Sequence, residues 1–399
     1  MDTQRFSRIA NGLKSASISS VTQTADALRR EGKEVLVFSI GRPDFDTPEH
    51  IKAAASDALA KGFVHYTHNP GILPMREAVA AYLKRQNGLD YDPKTEIMIT
   101  AGAQEALMLC THALLDPGDE VLVPSPGFLL YYSSIPMLHA VPVPYVLKEP
   151  DYDWDGAPVS DRTKLMIFNN PNNPTGAVYP REVLEQIVEV ARRHQLMIFS
   201  DEIYDRLVMD GLEHISIASL APDLFCVTFS GLSKSHMIAG WRVGWMVLSG
   251  NKRLAKDYIE GLNMLANMRM CSNVPAQSVV QTALGGHQSV KDYLVPGGRI
   301  YDQRELVYNM LNDIPGITAV KPKAAFYIFP KIDVKKFNIH SDEQFALDLL
   351  HDKHILISHG GAFNWQEPDH FRVVYLPRIS MLKETIGEIG DFFSTYWQA

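Results

Sequence analysis

An α/β fold, with a mostly parallel sheet flanked by helices and a smaller α+β domain beside it, is what this 399-residue sequence predicts. Three observations carry the prediction. Short, β-branched apolar runs alternate with amphipathic helical patterns through most of the chain. Several of those runs end in polar or glycine-rich turns, and open α/β sheets bind ligands at that edge. After about residue 294 the order changes to strand, strand, helix, strand, strand, helix, the texture of an α+β unit.

The elements follow in order. The first apolar run covers 35–40, and helical periodicity covers 51–61 and 75–86. Strands are expected over 97–100, 121–124, 164–168, 197–200, 225–229 and 244–248, with helices over 104–115 and 181–194 between them. A long helical pattern at 298–312 leads to strands at 316–320 and 325–329. A helix near 343–350 and strands at 355–358 and 371–374 complete the smaller unit. The large domain is expected over 47–293, and residues 1–46 and 294–399 form the small one.

Composition narrows the function. Lys plus Arg number 38 and Asp plus Glu 46, a net charge of −8, which argues against a nucleic-acid groove. No apolar stretch reaches the roughly 18 residues of a membrane span. The first 16 residues lack the apolar core of a secretory signal. Cys110, Cys226 and Cys271 are far apart and form no C-x-x-C pair, so a disulfide framework is not expected. A reducing, cytoplasmic setting is the plain reading. His65 and His68, and His351 and His354, have ligand-like spacing but no third ligand, so no metal is expected.

Three segments carry chemistry. Gly231-Leu232-Ser233-Lys234 follows the expected strand at 225–229, and Arg242 lies eight positions on between Gly240 and Gly244. A lysine among small residues and near a second cation can lose its proton and attack a carbonyl; a solvated loop lysine is the plain alternative. Asn169 to Gly176 (NNPNNPTG) is a loop fixed by two prolines and a glycine, leaving asparagine amides as oriented donors. Ser200-Asp201-Glu202-Ile203-Tyr204 puts an acid at the end of a buried strand, where it must be paired or functional, unless it caps a helix.

In this order, with 28 residues from Asn173 to Asp201 and 33 from Asp201 to Lys234, the segments resemble the class I/II pyridoxal-phosphate-dependent aminotransferases of fold type I. Gly41 to Pro48, Tyr66 with Gly71 and Arg76, Thr100 to Gln104, Pro124 to Phe128, Lys323 to Tyr327 and Phe371-Arg372 are further landmarks, and the resemblance covers roughly residues 30–380. It implies a role for each site residue. Lys234 would form the Schiff base with the cofactor aldehyde and then act as general base. Asp201 would pair with the pyridine nitrogen. Tyr204 and Asn173 would reach the ring hydroxyl oxygen, and Phe128 would stack on the ring. The phosphate would sit on Gly102, Ala103 and Gln104 at a helix start, with Arg242 and a hydroxyl from Ser233 or Ser230. Arg372 would grip the substrate α-carboxylate beside Gly41 and Asn173, and Arg378 is read as structural. Tyr66 would reach the phosphate of a partner subunit, which implies a homodimer with composite sites.

The sequence also departs from the family. Met237 stands where a small residue is usual, and Gly231 where many members have a phosphate-binding serine. His359-Gly360-Gly361 replaces a common Pro-Gly, with His359 expected on a solvent-facing loop or, alternatively, at the entrance of the site.

The implied activity is ping-pong transamination between amino acids and 2-oxo acids. Residues 258–261, 267–277 and 283–286 are similar to bacterial alanine (glutamate–pyruvate) aminotransferases, as are Phe363-Asn364-Trp365 and 368–372, whereas 41–48 is closer to aspartate-type members. Arg269 is either a contact for a substrate side-chain carboxylate or an ion pair at the subunit interface. Rival readings are an aspartate, aromatic or broad-specificity aminotransferase and a carbon–sulfur lyase. A DNA-binding regulator on this fold is disfavoured by the charge and by the lack of a spare N-terminal domain.

Overall fold

The computed structural model describes residues 18–148, 150, 154 and 156–399; the first 16 residues, read above for a leader, lie outside that set. Strand β1 (Leu36–Val37) stands apart from the main sheet. That sheet comprises β2 (Ile97–Thr100), β3 (Glu120–Ser125), β4 (Val141–Val146), β5 (Thr163–Asn169), β6 (Met197–Asp201), β7 (Cys226–Gly231) and β8 (Gly244–Ser249). Their spatial order is β2-β8-β7-β6-β5-β3-β4. β7, β6, β5, β3 and β4 run parallel, and β8 is antiparallel to both its neighbours.

Alternate residues of one strand feed opposite faces. Val121, Val123, Leu165, Ile167 and Phe199 pack with Ala106 and Leu107 of the helix Ala103–Leu114 and with Leu262 of Lys256–Arg269. Leu122, Met166, Phe168 and Ile198 pack with Leu184, Ile187 and Val188 of Arg181–His194. A sheet covered on both sides needs strands that are apolar throughout, which is why these runs are continuous. Each fully buried aliphatic chain is worth about 1.5–3 kcal/mol. Parallel strands set side by side also bring Ser125, Asn169, Asp201 and Gly231, their last residues, to one edge.

The C-terminal part is built from shorter pieces: β9 (Ile317–Thr318), β10 (Tyr327–Ile328), β11 (Lys331–Ile332), β12 (Ile355–Leu356), β13 (Ser358–His359) and β14 (Phe371–Val374). β9 pairs with β11, β14 lies between β10 and β13, and β1 runs parallel to β12. Phe345 of the helix Asp342–Lys353, Phe371 of β14, and Phe392 and Phe393 of Ile379–Thr395 share its core.

Three expectations need correction, and one strand was not foreseen. Only Leu36 and Val37 of the run 35–40 are a strand. After Phe38 donates to Leu356 the chain leaves β12, and the Ser39 and Gly41 carbonyls accept instead from Arg372 and Lys234. The stretch 355–358 is not one strand, because β12 pairs with β1 while β13 pairs with β14. β4 was not expected: Pro142 and Pro144 mask it, and it is tolerated as an edge strand, where a missing N–H costs no ladder bond. His359 is not on a solvent-facing loop; it is buried on β13, with Nδ1 3.4 Å from Asp342 Oδ2.

Candidate functional site

A cleft of about 340 Å³ opens at the carboxyl edge of the main sheet. Gly41, Ala103, Gln104, Phe128, Asn173, Asp201, Tyr204, Ser233, Lys234, Arg242 and Arg372 all line it. Gly102 lies just behind, against Arg242. Tyr66 does not line it and is 79% exposed.

Asp201 ends β6. Its Oδ2 accepts from the Tyr131 hydroxyl at 2.7 Å and its Oδ1 from Ile203 N at 3.2 Å. Burial nevertheless pushes its carboxyl up to about 6, because these donors and Lys234 only partly offset the lost hydration. The same burial beside a carboxylate raises the Tyr131 phenol far above its usual range, so Tyr131 remains the donor. Asn169, at the end of β5, donates to the Asp201 carbonyl at 3.0 Å and accepts from Asn173 N at 2.8 Å. The asparagine loop is thereby tied to the strand that carries the acid.

Lys234 follows β7, and its Nζ donates to the Gly41 carbonyl at 2.7 Å. Its amine therefore waits on a backbone acceptor, with no carboxylate bonded to it among the described residues.

An anion cup is formed by the turn between β2 and the helix Ala103–Leu114, whose first N–H groups and dipole favour negative charge. Gly102 has φ +87°, and a Cβ there would lie 2.2 Å from Arg242 Nη2, so glycine alone lets the guanidinium close on the turn. Arg242 Nη1 donates to Ala239 O at 2.9 Å. Ser233 faces the cleft, whereas Ser230 is buried and donates to Glu202 O at 3.3 Å. Gly231 supplies no hydroxyl because a side chain does not fit: a Cβ would lie 2.6 Å from Val243 O.

Arg372, on β14, is 5% exposed. Its Nη1 donates to Asn173 Oδ1 at 2.9 Å and its Nη2 to the Ser39 carbonyl, while Nε has no partner. The guanidinium lies 4.6 Å from the ring centres of both Tyr327 and Phe363. Among the described residues no carboxylate pairs with it. Burial lowers its pKa for want of an anion.

Sequence reasoning gave no role to Tyr131, Tyr327, Phe363 or Ser39. Tyr327 hydrogen-bonds the Tyr204 hydroxyl at 2.8 Å and would overlap any Cβ on Gly41. Tyr131 sits three residues after Phe128, one helical turn on, which was its one readable signal. Arg269 is not at the cleft; its Nε lies 3.2 Å from Glu105 Oε1 in its own chain. Arg378 is an exposed N-cap of Ile379–Thr395. Among the described residues no three His, Cys, Asp or Glu side chains are grouped to hold a metal, and no helix is long and apolar enough to cross a membrane.

The cleft thus offers an amine, a buried acid, an anion cup and a buried guanidinium, the groups needed to hold an anionic ring compound and an α-carboxylate. Comparisons with known proteins agree with that chemistry. Residues 33–388 match the profile of aminotransferase class I and II. A glutamate–pyruvate aminotransferase of Haemophilus influenzae is 46% identical over 388 residues, 95% of each chain. An alanine aminotransferase of Mycobacterium tuberculosis is 43% identical over 95% of this chain and 90% of its own. The crystal structure of an aminotransferase from Escherichia coli superposes with a TM-score of 0.95 at 43% identity, covering 99% of both chains. The chain belongs to the class I and II aminotransferases.

Proposed function

We propose that this chain is a pyridoxal-phosphate-dependent aminotransferase that passes an amino group between alanine or glutamate and 2-oxoglutarate or pyruvate. The observation that carries the reading is the convergence of Lys234, Asp201 and Arg372 on one cleft. The names of the relatives from Haemophilus influenzae and Mycobacterium tuberculosis support the alanine branch.

The residues fit the cofactor. An ionised Asp201 is costly when alone and is relieved by a pyridinium nitrogen opposite it. The N–H groups of Ala103 and Gln104, with Arg242 and Ser233, suit the phosphate, and Gly102 leaves room for it. Tyr204 and Asn173 would hold the ring oxygen, and Phe128 the ring face. When bound, the group supplies an electron sink that makes the substrate α-proton labile.

The chain supplies the rest. Arg372 binds the substrate α-carboxylate as a two-pronged donor, with Gly41 and Asn173 beside it. Lys234 Nζ leaves the Gly41 carbonyl, takes the α-proton and returns it as general base and then acid. Asp201 would hold the ring nitrogen in its protonated form. The enclosing aromatic wall of Tyr327, Phe363 and Phe128 limits water. An amino acid would enter, leave its amino group with the cofactor and take its oxo oxygen from water, and a second oxo acid would then collect that amino group and return the water by the reverse steps.

The working unit is a homodimer in the cytoplasm. Phe63, Val64 and Tyr66 are 47%, 57% and 79% exposed, and Met264 and Met268 are 63% and 81% exposed. An Asn69–Asn267 hydrogen bond of 2.8 Å joins the two segments into one apolar surface, which a second copy would cover. Tyr66 would then be free to reach the partner's cleft. Three unpaired cysteines suit a reducing compartment. The large unit at 47–293 and the small unit at 1–46 with 294–399 remain the domain division we favour.

The test is the half-reaction. Cofactor-loaded protein is mixed with single amino acids while its visible band is followed. Loss of the band with alanine and glutamate, restored by pyruvate or 2-oxoglutarate, is expected. Loss only with aspartate or aromatic amino acids moves the protein to another branch, and ammonia released without an acceptor makes it a lyase.

A further inference from the structure

The anion cup has a charge problem of its own. Glu105 stands in the first turn of the helix Ala103–Leu114, where a phosphate would have to bind. Its Oε2 accepts from Ala101 N at 2.6 Å, a backbone clasp that shapes the turn. An ionised carboxylate so placed would also repel the incoming anion.

Arg269, the last residue of the helix Lys256–Arg269, answers both points. Its Nε lies 3.2 Å from Glu105 Oε1, an ion pair by distance without hydrogen-bond geometry, with side chains 15% and 25% exposed, so the two charges are largely shielded from water. Its Nη2 donates to Ile99 O at 2.9 Å. Ile99 lies in β2, the edge strand of the main sheet, and its N–H already donates to Pro70 O at 2.8 Å. The outward groups of that residue are thus both held, and Thr100 hydroxyl donation to Gly102 O at 3.0 Å continues the clasp into the turn. With position 231 closed to a serine by Val243 O, more of the phosphate's binding falls on this backbone.

We propose that Arg269 is a positioning residue for the phosphate of the cofactor: it neutralises Glu105 and fixes the 99–105 turn so that its N–H groups accept an anion. The inference rests on the pyridoxal-phosphate reading above. Arg269 was expected either to meet a substrate carboxylate or to form an ion pair at the subunit interface; the proposal gives it an ion-pair partner within its own chain.

The test compares equilibrium binding of pyridoxal phosphate and of pyridoxal, which lacks the phosphate, to ligand-free protein by absorbance and tryptophan fluorescence. Arg269→Gln should weaken pyridoxal phosphate about ten-fold, the scale of one charge at a helix N-terminus, and leave pyridoxal within about two-fold. Arg269→Lys should keep most of the affinity. Glu105→Gln added to Arg269→Gln should recover most of the loss, and high salt should shrink it. Thermal unfolding of each variant reports whether it folds, and Arg269→Met, equally neutral but keeping the apolar stem, carries the test if Arg269→Gln does not. Equal loss for both ligands, or no loss for pyridoxal phosphate, overturns the proposal. Wild-type protein that binds neither compound overturns the cofactor reading instead.

Discussion

At the turn between β2 and the helix Ala103–Leu114 the acid Glu105 has a counter-charge in Arg269, whereas deeper in the cleft Asp201 and Arg372 form no ion pair among the described residues. Glu105 meets Arg269, and Ala101, Ile99 and Gly102 complete the clasp. Asp201 is held by a phenol and an amide, and Arg372 by two carbonyl oxygens and two aromatic faces. Burying an ion without an opposite charge costs several kcal/mol, and a cation over a ring returns only about 0.5–2 kcal/mol. The difference teaches where stability has been given up for binding. The turn is shaped before any guest arrives, while the deep cleft holds two unmet charges that a guest must satisfy. Neutral substitutions should therefore weaken the turn but relax the deep cleft.

The largest effect belongs to Lys234. Lys234→Ala removes the amine proposed as the general base, and turnover should fall by about 10⁴-fold, the upper range for losing such a group. Its Nζ makes a single bond, to Gly41 O, so thermal unfolding of the ligand-free protein should barely move. A large loss of stability would mean that the deep cleft, too, is built for structure.

Arg372→Met separates the two costs. Steady-state kcat/KM for amino acids should drop by roughly 10²–10³-fold, as expected when one side of a buried charged contact is lost. The ligand-free protein should be as stable as wild type or more so. Relief of several kcal/mol of desolvation outweighs about 1 kcal/mol for each of the two lost hydrogen bonds. Calorimetry with and without a 2-oxo acid checks both halves, since only wild type should gain stability from the acid.

Asp201→Asn gives the same contrast a pH signature. Burial raises the Asp201 carboxyl to about 6, above its unfolded value of 3.8, so the folded state binds the extra proton in that window. Stability of the ligand-free wild type should then fall as pH rises from about 4 to about 6 and level off above, by on the order of 2–3 kcal/mol. Asp201→Asn should lack that slope, and denaturant titrations across the range would show it.

The two regions also differ in how far the sequence revealed them. The strands of the main sheet were readable because residues such as Leu165 to Phe168 are apolar on both faces, a pattern local to the chain. The motif order around Asn173, Asp201 and Lys234 was readable for the same reason, since each follows such a strand. β4 was hidden by its two prolines, which suit only an edge. The departure of the chain after Phe38 had no local sign, because it is decided by Lys234 and Arg372, 193 and 333 residues away from the carbonyls they bond. That Tyr131 meets Asp201 and Arg269 meets Glu105 was unreadable on that same ground: the spacing of Tyr131 from Phe128 hints at the cleft, but nothing near either residue in sequence names its partner across the fold.

The smallest effect sharpens the comparison most. Tyr131→Phe removes the hydroxyl that donates to Asp201 Oδ2 at 2.7 Å and leaves the ring, which packs edge-on to Phe128 at 5.7 Å, in place. That donor favours the ionised carboxylate, so its loss should raise the Asp201 carboxyl further above about 6. The cost to the ligand-free protein should be about 1–2 kcal/mol at pH 8, where the carboxylate is charged, and smaller at pH 5, where it is protonated. The fall in stability with pH should shift to higher pH by the same change. Pyridoxal phosphate bound as proposed would supply the missing positive charge, so saturating cofactor should shrink the difference between variant and wild type. If the cost is the same at both pH values and with cofactor bound, Tyr131 acts as packing alone and Asp201 does not carry an unmet charge.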